Sequence, residues 1–431
     1  MGFVHSAGFC LENSLPFRGH DESEKPLNKG IYFSVLKLIS ENNPDIGKYT
    51  LGNAKKNNKL TAPSIQKEII DCFAKEVTKM ICEEIKDDVF GLLVDESSDV
   101  SMMEQMVVVV RYVDKLGVVK ESLIGIAHVK NTVASTLKEV VVSLLANNKL
   151  SIDQVRGQGY DGASNMRGEF NGLKVLILRD NSSAHYIHCF AHQLQLVIVA
   201  VEKKHSGVKD FYEYLSMVVN TVSDSCKRKE AMLDAKKERV EQEILQVYNM
   251  ILDMQIQELG DRFNELSTSL IENMSGLNPC DSFSKFDISN VVAFSEMYPN
   301  DFNKEERGCI SGDLTVFVEN VKEDDSFKKL DGICDLARVM VETGRHNTFP
   351  LVYRILKLAL VLPVATVTVE RCFSKMKLIK TDLRNRMGDE YLNNALICAV
   401  EKETFYKVKE EDVMTRFQAF KNRRLDYYVC V

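Results

Sequence analysis

An α/β fold built on one mixed sheet, in the order βββαβαβα, is predicted by three observations on this chain of 431 residues. Short apolar runs bounded by polar turn residues read as buried strands, and three follow in quick succession: Phe90–Asp95, Gln105–Val113 and Glu121–Val129. The gaps between them suit hairpins, so this part is expected to be antiparallel. Beyond Val129 helical and strand patterns alternate, as in parallel crossovers. Finally, two of the strands end on an aspartate, Asp95 and Asp161.

Residues 1–58 are polar and mixed, with helical spacing over Ile31–Ile39 and a basic connector over 53–59. From Ser64 to Ile85 an amphipathic helix carries Ile69, Phe73, Val77 and Met80 on one stripe, suited to pack on the sheet. After the three strands, a helix over Ser135–Leu145 turns Leu137, Val141 and Leu144 inward. The fourth strand ends at Asp161, and Ser164 or Asn165 is placed to cap a helix running to Leu178. A fifth strand spans Ala184–Cys189, and an apolar helix follows over His192–Val201. Three antiparallel strands followed by two parallel ones, with helices on both sides, is the RNase H-like arrangement. Its first and fourth strands lie side by side, which brings Asp95 and Asp161 together. Residues 208–275 read as helices, with a densely charged stretch over 226–243. Leu351–Leu362 is a strongly apolar helix closed by Pro363. The expected organisation is a polar N-terminal segment (1–58), a first part of the core (59–205), a helical insertion (206–350), C-terminal core helices (351–405) and a tail (406–431).

Bulk composition narrows the function. Hydrophobic residues make up 45%, enough for a sizeable core, and the net charge is -7. A uniformly basic nucleic-acid binder is excluded, so any such site must be a local patch. The 11 cysteines form no C-x-x-C pair, so no zinc is expected and the chain reads as a reduced, intracellular protein. No apolar run reaches membrane-spanning length.

The candidate chemistry rests on acids. Two like charges about 4 Å apart at an effective dielectric near 20 repel by roughly 4 kcal/mol, which a divalent cation between them would remove. Asp95 or Asp161 taken alone also reads as a turn or cap residue. A third acid, Glu370, follows Thr366 and Thr368, either of which could cap a helix. Around it Arg371, Lys375, Lys377, Lys380, Arg384 and Arg386 form the most basic stretch of an acidic chain. Acids that hold metal ions beside bases that hold phosphates suit phosphodiester chemistry; a solvated amphipathic helix with ordinary ion pairs would look the same. His185-x-x-His188-Cys189-x-x-His192 lacks a tetrahedral zinc set and reads as packing and hydrogen bonding at a strand-to-helix junction.

Four stretches carry a family resemblance: Gly91–Asp99, Gly157–Met166, His188–Leu194 and Leu362–Ser374. Together they resemble hAT-superfamily transposase-like proteins, most closely the zinc finger MYM-type protein 1-like group. The resemblance implies that Asp95, Asp161 and Glu370 occupy the positions of an acidic catalytic and metal-binding triad, served by Mg²⁺ or Mn²⁺ if catalysis survives. Cys189 and His192 match the family's C-x-x-H motif. Arg371 through Arg386 become candidates for the DNA backbone. The segment from Leu351 to Phe405 resembles the dimerisation region, with Leu356, Leu360, Leu392, Leu396 and Ile397 as its expected apolar surface. The same resemblance implies a nuclear protein.

The chain departs from the family pattern. It has no N-terminal zinc-ligand set, its insertion looks short, and it has no tryptophan, so the family's Arg-Trp motif is not in it. The expected function is therefore a domesticated or decayed transposase-like protein that dimerises and associates with DNA, with catalysis lost. The alternative is an active metal-dependent DNA transposase or nuclease.

Overall fold

The structure, a computed structural model, describes residues 1–18, 30–54, 60–168, 171–204 and 267–420. The charged stretch at 226–243 lies outside them. Among the described residues the sheet has five strands: β1 (Phe90–Ser98), β2 (Glu104–Val113), β3 (Val119–His128), β4 (Val155–Tyr160) and β5 (His185–His188). Their spatial order is β3-β2-β1-β4-β5, as the sequence predicts. β1 pairs antiparallel with β2 and parallel with β4, and β4 pairs parallel with β5. Leu92, Leu93 and Val94 in β1 and Met106 through Val110 in β2 are all buried. Both sheet faces are therefore covered there, which is why these strands read as unbroken apolar runs without alternation.

The edge strand β3 carries a bulge, since Leu123 pairs with Val109 but Gly125 pairs with Val108. Its backbone donors are met by side chains of the C-terminal helix Asp389–Val400 and the residue after it. Leu123 N–H donates to Glu401 Oε1 at 2.7 Å, and Ile126 N–H donates to Asn393 Oδ1 at 2.9 Å. An edge that would otherwise be a template for another strand is closed by the chain's own C-terminal region.

The first core packs around this sheet. It contains α1 (Gly2–Glu12), α2 (Ile31–Asn42), α3 (Pro63–Ile85), α4 (Ala134–Asn147), α5 (Leu173–Asp180), and, much later in sequence, residues of 367–417. Two expectations are corrected here. Residues 1–58 are not a polar segment apart: Phe3, Val4, Ala7, Cys10 and Leu11 of α1 are buried in the core. A stripe at helical spacing needs only these few side chains, and the polar average of the segment conceals it. Nor is everything beyond 405 a tail, because the helix Glu410–Ala419 buries Val413, Met414 and Phe417. Phe417 lies 5.8 Å from Phe3 between ring centres, and Arg416 Nε donates to Glu76 Oε1 of α3 at 2.6 Å.

A second core is purely helical apart from a few sheet residues. It is built by α7 (Ser267–Ser275), α8 (Ile288–Glu296), α9 (Lys304–Lys322), α10 (Ile333–Glu342) and α11 (Pro350–Leu360), with Phe190 at the start of α6 (Phe190–Lys204) packed against it. The apolar helix predicted from Leu351 is α11, and its residues belong to this second core. Leu356 and Leu360 are therefore interior residues, and Leu392, Leu396 and Ile397 are interior to the first core. The surface expected to dimerise is consumed in closing the monomer. Among the described residues no helix is long and apolar enough to cross a membrane.

Residues 361–366 join the two cores by crossing the sheet. Pro363 prevents α11 from continuing. Gly91 of β1 and Gly157 and Gly159 of β4 leave the surface on which this strap lies. A Cβ on Gly91 would sit 1.9 Å from the Val361 carbonyl oxygen, and one on Gly159 would sit 2.8 Å from Pro363 Cγ. Glycine is required by close approach of backbone to backbone, a different use from its freedom at positive φ. Arg111 Nε donates to the Leu360 carbonyl at 2.7 Å, and Phe190 N–H donates to the Val364 carbonyl at 3.0 Å. The strap is thus pinned at both ends, and it delivers the next helix, α12 (Val367–Ile379), to the rim where β1 and β4 end.

Candidate functional site

The parallel pairing of β1 and β4 sets the first two acids. Leu93 is opposite Gly159, so continuing that register by two residues sets Asp161 beside Asp95. Asp161 follows the last residue of β4, and its Oδ1 accepts from Ala163 N–H at 3.2 Å. Glu370 lies in the first turn of α12 and is exposed. The Asp95 carboxyl is pushed up to about 6, first by burial and then by the negative charges of Asp161 and Glu370; its bond from Glu96 N–H and the nearby His192 oppose this. Asp161 and Glu370, 66 and 275 positions away in sequence, are thus near enough to act on Asp95. Among the described residues, no three His, Cys, Asp or Glu side chains stand close enough to hold a metal ion as they are.

Sequence reasoning missed a fourth acid. Glu96, next to Asp95, is pushed up to about 7, by burial first and then by Asp161, Asp95 and Glu104. Asn165 Nδ2 donates to Glu96 Oε1 at 3.1 Å and to the Thr132 carbonyl at 3.0 Å. Asn165 is thus no helix cap; it ties the end of β1 to the loops after β3 and β4. The helix of Ser164–Arg167 has Ala163 at its cap position instead.

The Cys189–His192 motif has a visible structural task. Cys189 Sγ accepts from Thr366 N–H at 3.3 Å and from Thr366 Oγ1 at 3.1 Å, all of them buried. Thr366 is the residue before α12, yet its hydroxyl is not used to cap that helix. It is turned back to the thiol, so the β5–α6 junction fixes where α12, and hence Glu370, begins. Thr368 Oγ1 adds a second tie to Glu121 of β3, which also holds Arg111 Nη1 at 2.6 Å.

The basic stretch divides in two. Lys380 is 3% exposed, and its Nζ meets Asp99 Oδ2 at 2.5 Å. It is not available to a DNA backbone, which corrects the expectation for that residue: after α12 the chain turns inward, and only a cation could sit against the buried Asp99. Asp99 also accepts from Ser101 N–H, Met103 N–H and Gln105 Nε2. Arg384 is half-buried, with Nη1 directed at the Ser14 carbonyl, 3.4 Å away. Arg371, Lys377 and Arg386 are exposed and Lys375 is half-buried.

Comparison with known families covers both halves of this rim. Residues 2–172 match the family described as the ZMYM1/FAM200 RNase-like domain. Residues 338–404 match the hAT family C-terminal dimerisation region. The chain is an hAT transposase-like protein. The first match contains Asp95 and Asp161 and the second contains Glu370. In this hAT transposase-like protein the two matched regions are not separate modules, since β1, β2 and β3 pack directly against α12 and the helix Asp389–Val400.

Proposed function

We propose that this transposase-derived chain works as a DNA-associated homodimer of the nucleus that no longer cuts DNA. The observation that carries the dimer is an exposed apolar corner formed by the region matching the dimerisation family together with the loop after β1. Leu383 is 95% exposed and Met102 83% exposed, with Leu378, Val100 and Met103 also exposed. Ser101 Oγ donates to the Asn385 carbonyl at 3.2 Å and Lys380 is bonded to Asp99, so the 99–103 loop and the 380–385 segment form one surface. Contiguous exposed apolar surface of this kind marks interfaces. DNA association draws support from Arg371, Lys375 and Lys377 of α12, which have no ion-pair partner among the described residues of an otherwise acidic chain. The loss of cutting follows from the tryptophan-free sequence, which does not carry the family's Arg-Trp motif. Sedimentation of the full chain at micromolar concentration tests the dimer. A dimer converted to monomer by Leu383→Asp with Met102→Asp supports it, and a monomer throughout removes it. Leu396→Asp is a contrasting variant, because Leu396 is fully buried and its replacement should unfold the chain.

A second reading, metal-dependent strand cleavage, is favoured by one observation: Asp161 and Glu370 both act on Asp95. Crowded carboxylate oxygens are the donors that Mg²⁺ or Mn²⁺ prefers. Asp95, Asp161 and Glu370 would hold such ions after side-chain rotation, and the ions would supply Lewis-acid chemistry for phosphodiester displacement. The chain's own contribution is positional. Asn165 holds the loops below the acids, and the Cys189–Thr366 contact sets the start of the Glu370 helix.

A further inference from the structure

On the other side of α12 lies a cleft of about 1410 Å³, walled by the end of α3, β2, β3, α12 and the segment 399–407. Its walls carry both signs of charge, and the partners of each decide what the cleft offers to a ligand. Three of the carboxylates are already engaged. Glu84 takes Lys120 Nζ and Tyr112 Oη, Glu121 takes Arg111 and Thr368, and Glu401 takes Leu123 N–H. Glu83 and Glu403 remain on the wall. Against these two stand Lys115, Arg371, Lys375, Lys402 and Lys407, none of which is held in an ion pair or hydrogen bond among the described residues. Lys120 and Arg111 are spent on Glu84 and Glu121, which leaves these five cations against Glu83, Glu403 and Glu401, an excess of positive charge on the walls. In a chain of net charge -7 this is a concentration of positive potential inside a concave site.

We propose that this cleft is a sequence-independent seat for the phosphate backbone of DNA. The proposal rests on the DNA-association reading above and deepens it, moving the contact from the acidic rim to the far side of α12. The chemistry favours backbone over bases. Among the described residues the one aromatic ring on the walls, Tyr112, is buried and its hydroxyl is bonded to Glu84, so these walls offer no stacking platform. Ammonium and guanidinium groups on several elements fix position through phosphates and read no sequence. Of the five cations, Arg371 and Lys375 were visible as part of a basic stretch. Lys115, Lys402 and Lys407 come from two other parts of the chain, and only the fold collects them.

The test is fluorescence anisotropy of the full chain with two duplexes of equal length and unrelated sequence, titrated over a range of salt. Wild type is expected to bind both equally. Lys402→Ala with Lys407→Ala is expected to weaken both equally, and the slope of log affinity against log salt should shrink by about 2, near 0.9 per lost phosphate contact. Lys304→Ala with Lys322→Ala, exposed lysines of α9, should change neither. Unchanged melting of the variants confirms that the cleft and not the fold was altered. If wild type binds DNA and the cleft variant binds it with the same slope, the cleft proposal is overturned and DNA association stands. If wild type binds neither duplex, both fall. If inorganic polyphosphate binds in a Lys402- and Lys407-dependent way and DNA cannot displace it, the site is a small-anion site and DNA is overturned as its occupant.

Discussion

Lys380→Met is the perturbation whose effect can be worked out most fully. Asp99 is 4% exposed and Lys380 is 3% exposed, so both charges are out of water. Removing one partner of such a pair costs about 3–5 kcal/mol, because the other charge stays buried and uncompensated. Asp99 would keep its bonds from Ser101 N–H, Met103 N–H and Gln105 Nε2, which argues for the lower end, about 3 kcal/mol. The pH dependence has a definite sign. Burial pushes the Asp99 carboxyl up, but Lys380 and then the Ser101, Met103 and Gln105 bonds outweigh it and hold it below its ordinary value. A depressed acid contributes stability above its unfolded pKa, about 4, and that stability is lost as pH falls through the folded value. In Lys380→Met the folded value rises, so protonating Asp99 no longer costs stability, and the deficit of the variant relative to wild type should be full near neutral pH and shrink as pH falls below about 4. Urea unfolding of Lys380→Met, Asp99→Asn and the double variant measures the coupling. The double variant should be more stable than Lys380→Met alone. Additive single effects, or a loss below about 1 kcal/mol for Lys380→Met, would refute the buried-pair account.

Three further outcomes are expected. Gly91→Ala places a methyl 1.9 Å from the Val361 carbonyl and should cost about 3 kcal/mol or more, as severe overpacking does, whereas Gly308→Ala, in an exposed helical position with open space around it, should gain about 0.5–1 kcal/mol; thermal unfolding of the two separates a close-approach glycine from an incidental one. Glu401 is pushed up to about 7 by burial, so it takes up a proton on folding between its unfolded and folded values, and the wild type should lose stability relative to Glu401→Gln as pH rises from about 5 to about 7, a trend read by denaturation at several pH values. Cys189→Ser keeps an acceptor for Thr366 and Cys189→Ala does not, so the alanine variant should show faster amide exchange at the start of α12, and equal exchange in both would show that the thiol does not fix that helix.

The sheet was legible because its signals are local. Apolar runs such as Leu92–Val94 and Met106–Val110, separated by hairpin-length gaps, define strands, and their order with the following helices defines which strands are neighbours. Asp95 and Asp161 were legible as neighbours because the strand order sets the register between β1 and β4; the expected strand end at Asp95 is corrected, since β1 runs on to Ser98 through its pairing with β2. What was hidden depends on the third dimension. A basic residue at 380 looks like its neighbours until the turn after α12 buries it against Asp99. Glu96 gains its perturbed environment from burial first and then from Asp161, Asp95 and Glu104, which the fold gathers from three elements. Leu356 and Leu396 at helical spacing could equally face a partner or the interior, and periodicity alone does not say which; the fold buries them. The short N-terminal helix escaped because five apolar residues sit inside a segment that is polar on average.

The most direct test of the account as a whole is incubation of the purified full chain with Mg²⁺ or Mn²⁺ and nicked or hairpin DNA, followed by separation of the strands. A chain that binds DNA through α12 but has lost its cutting activity predicts retained, intact DNA, with Asp95→Asn indistinguishable from wild type. Cleavage that requires the divalent ion and disappears in Asp95→Asn would contradict the non-cutting account and establish the acids at the rim of β1, β4 and α12 as a working active site.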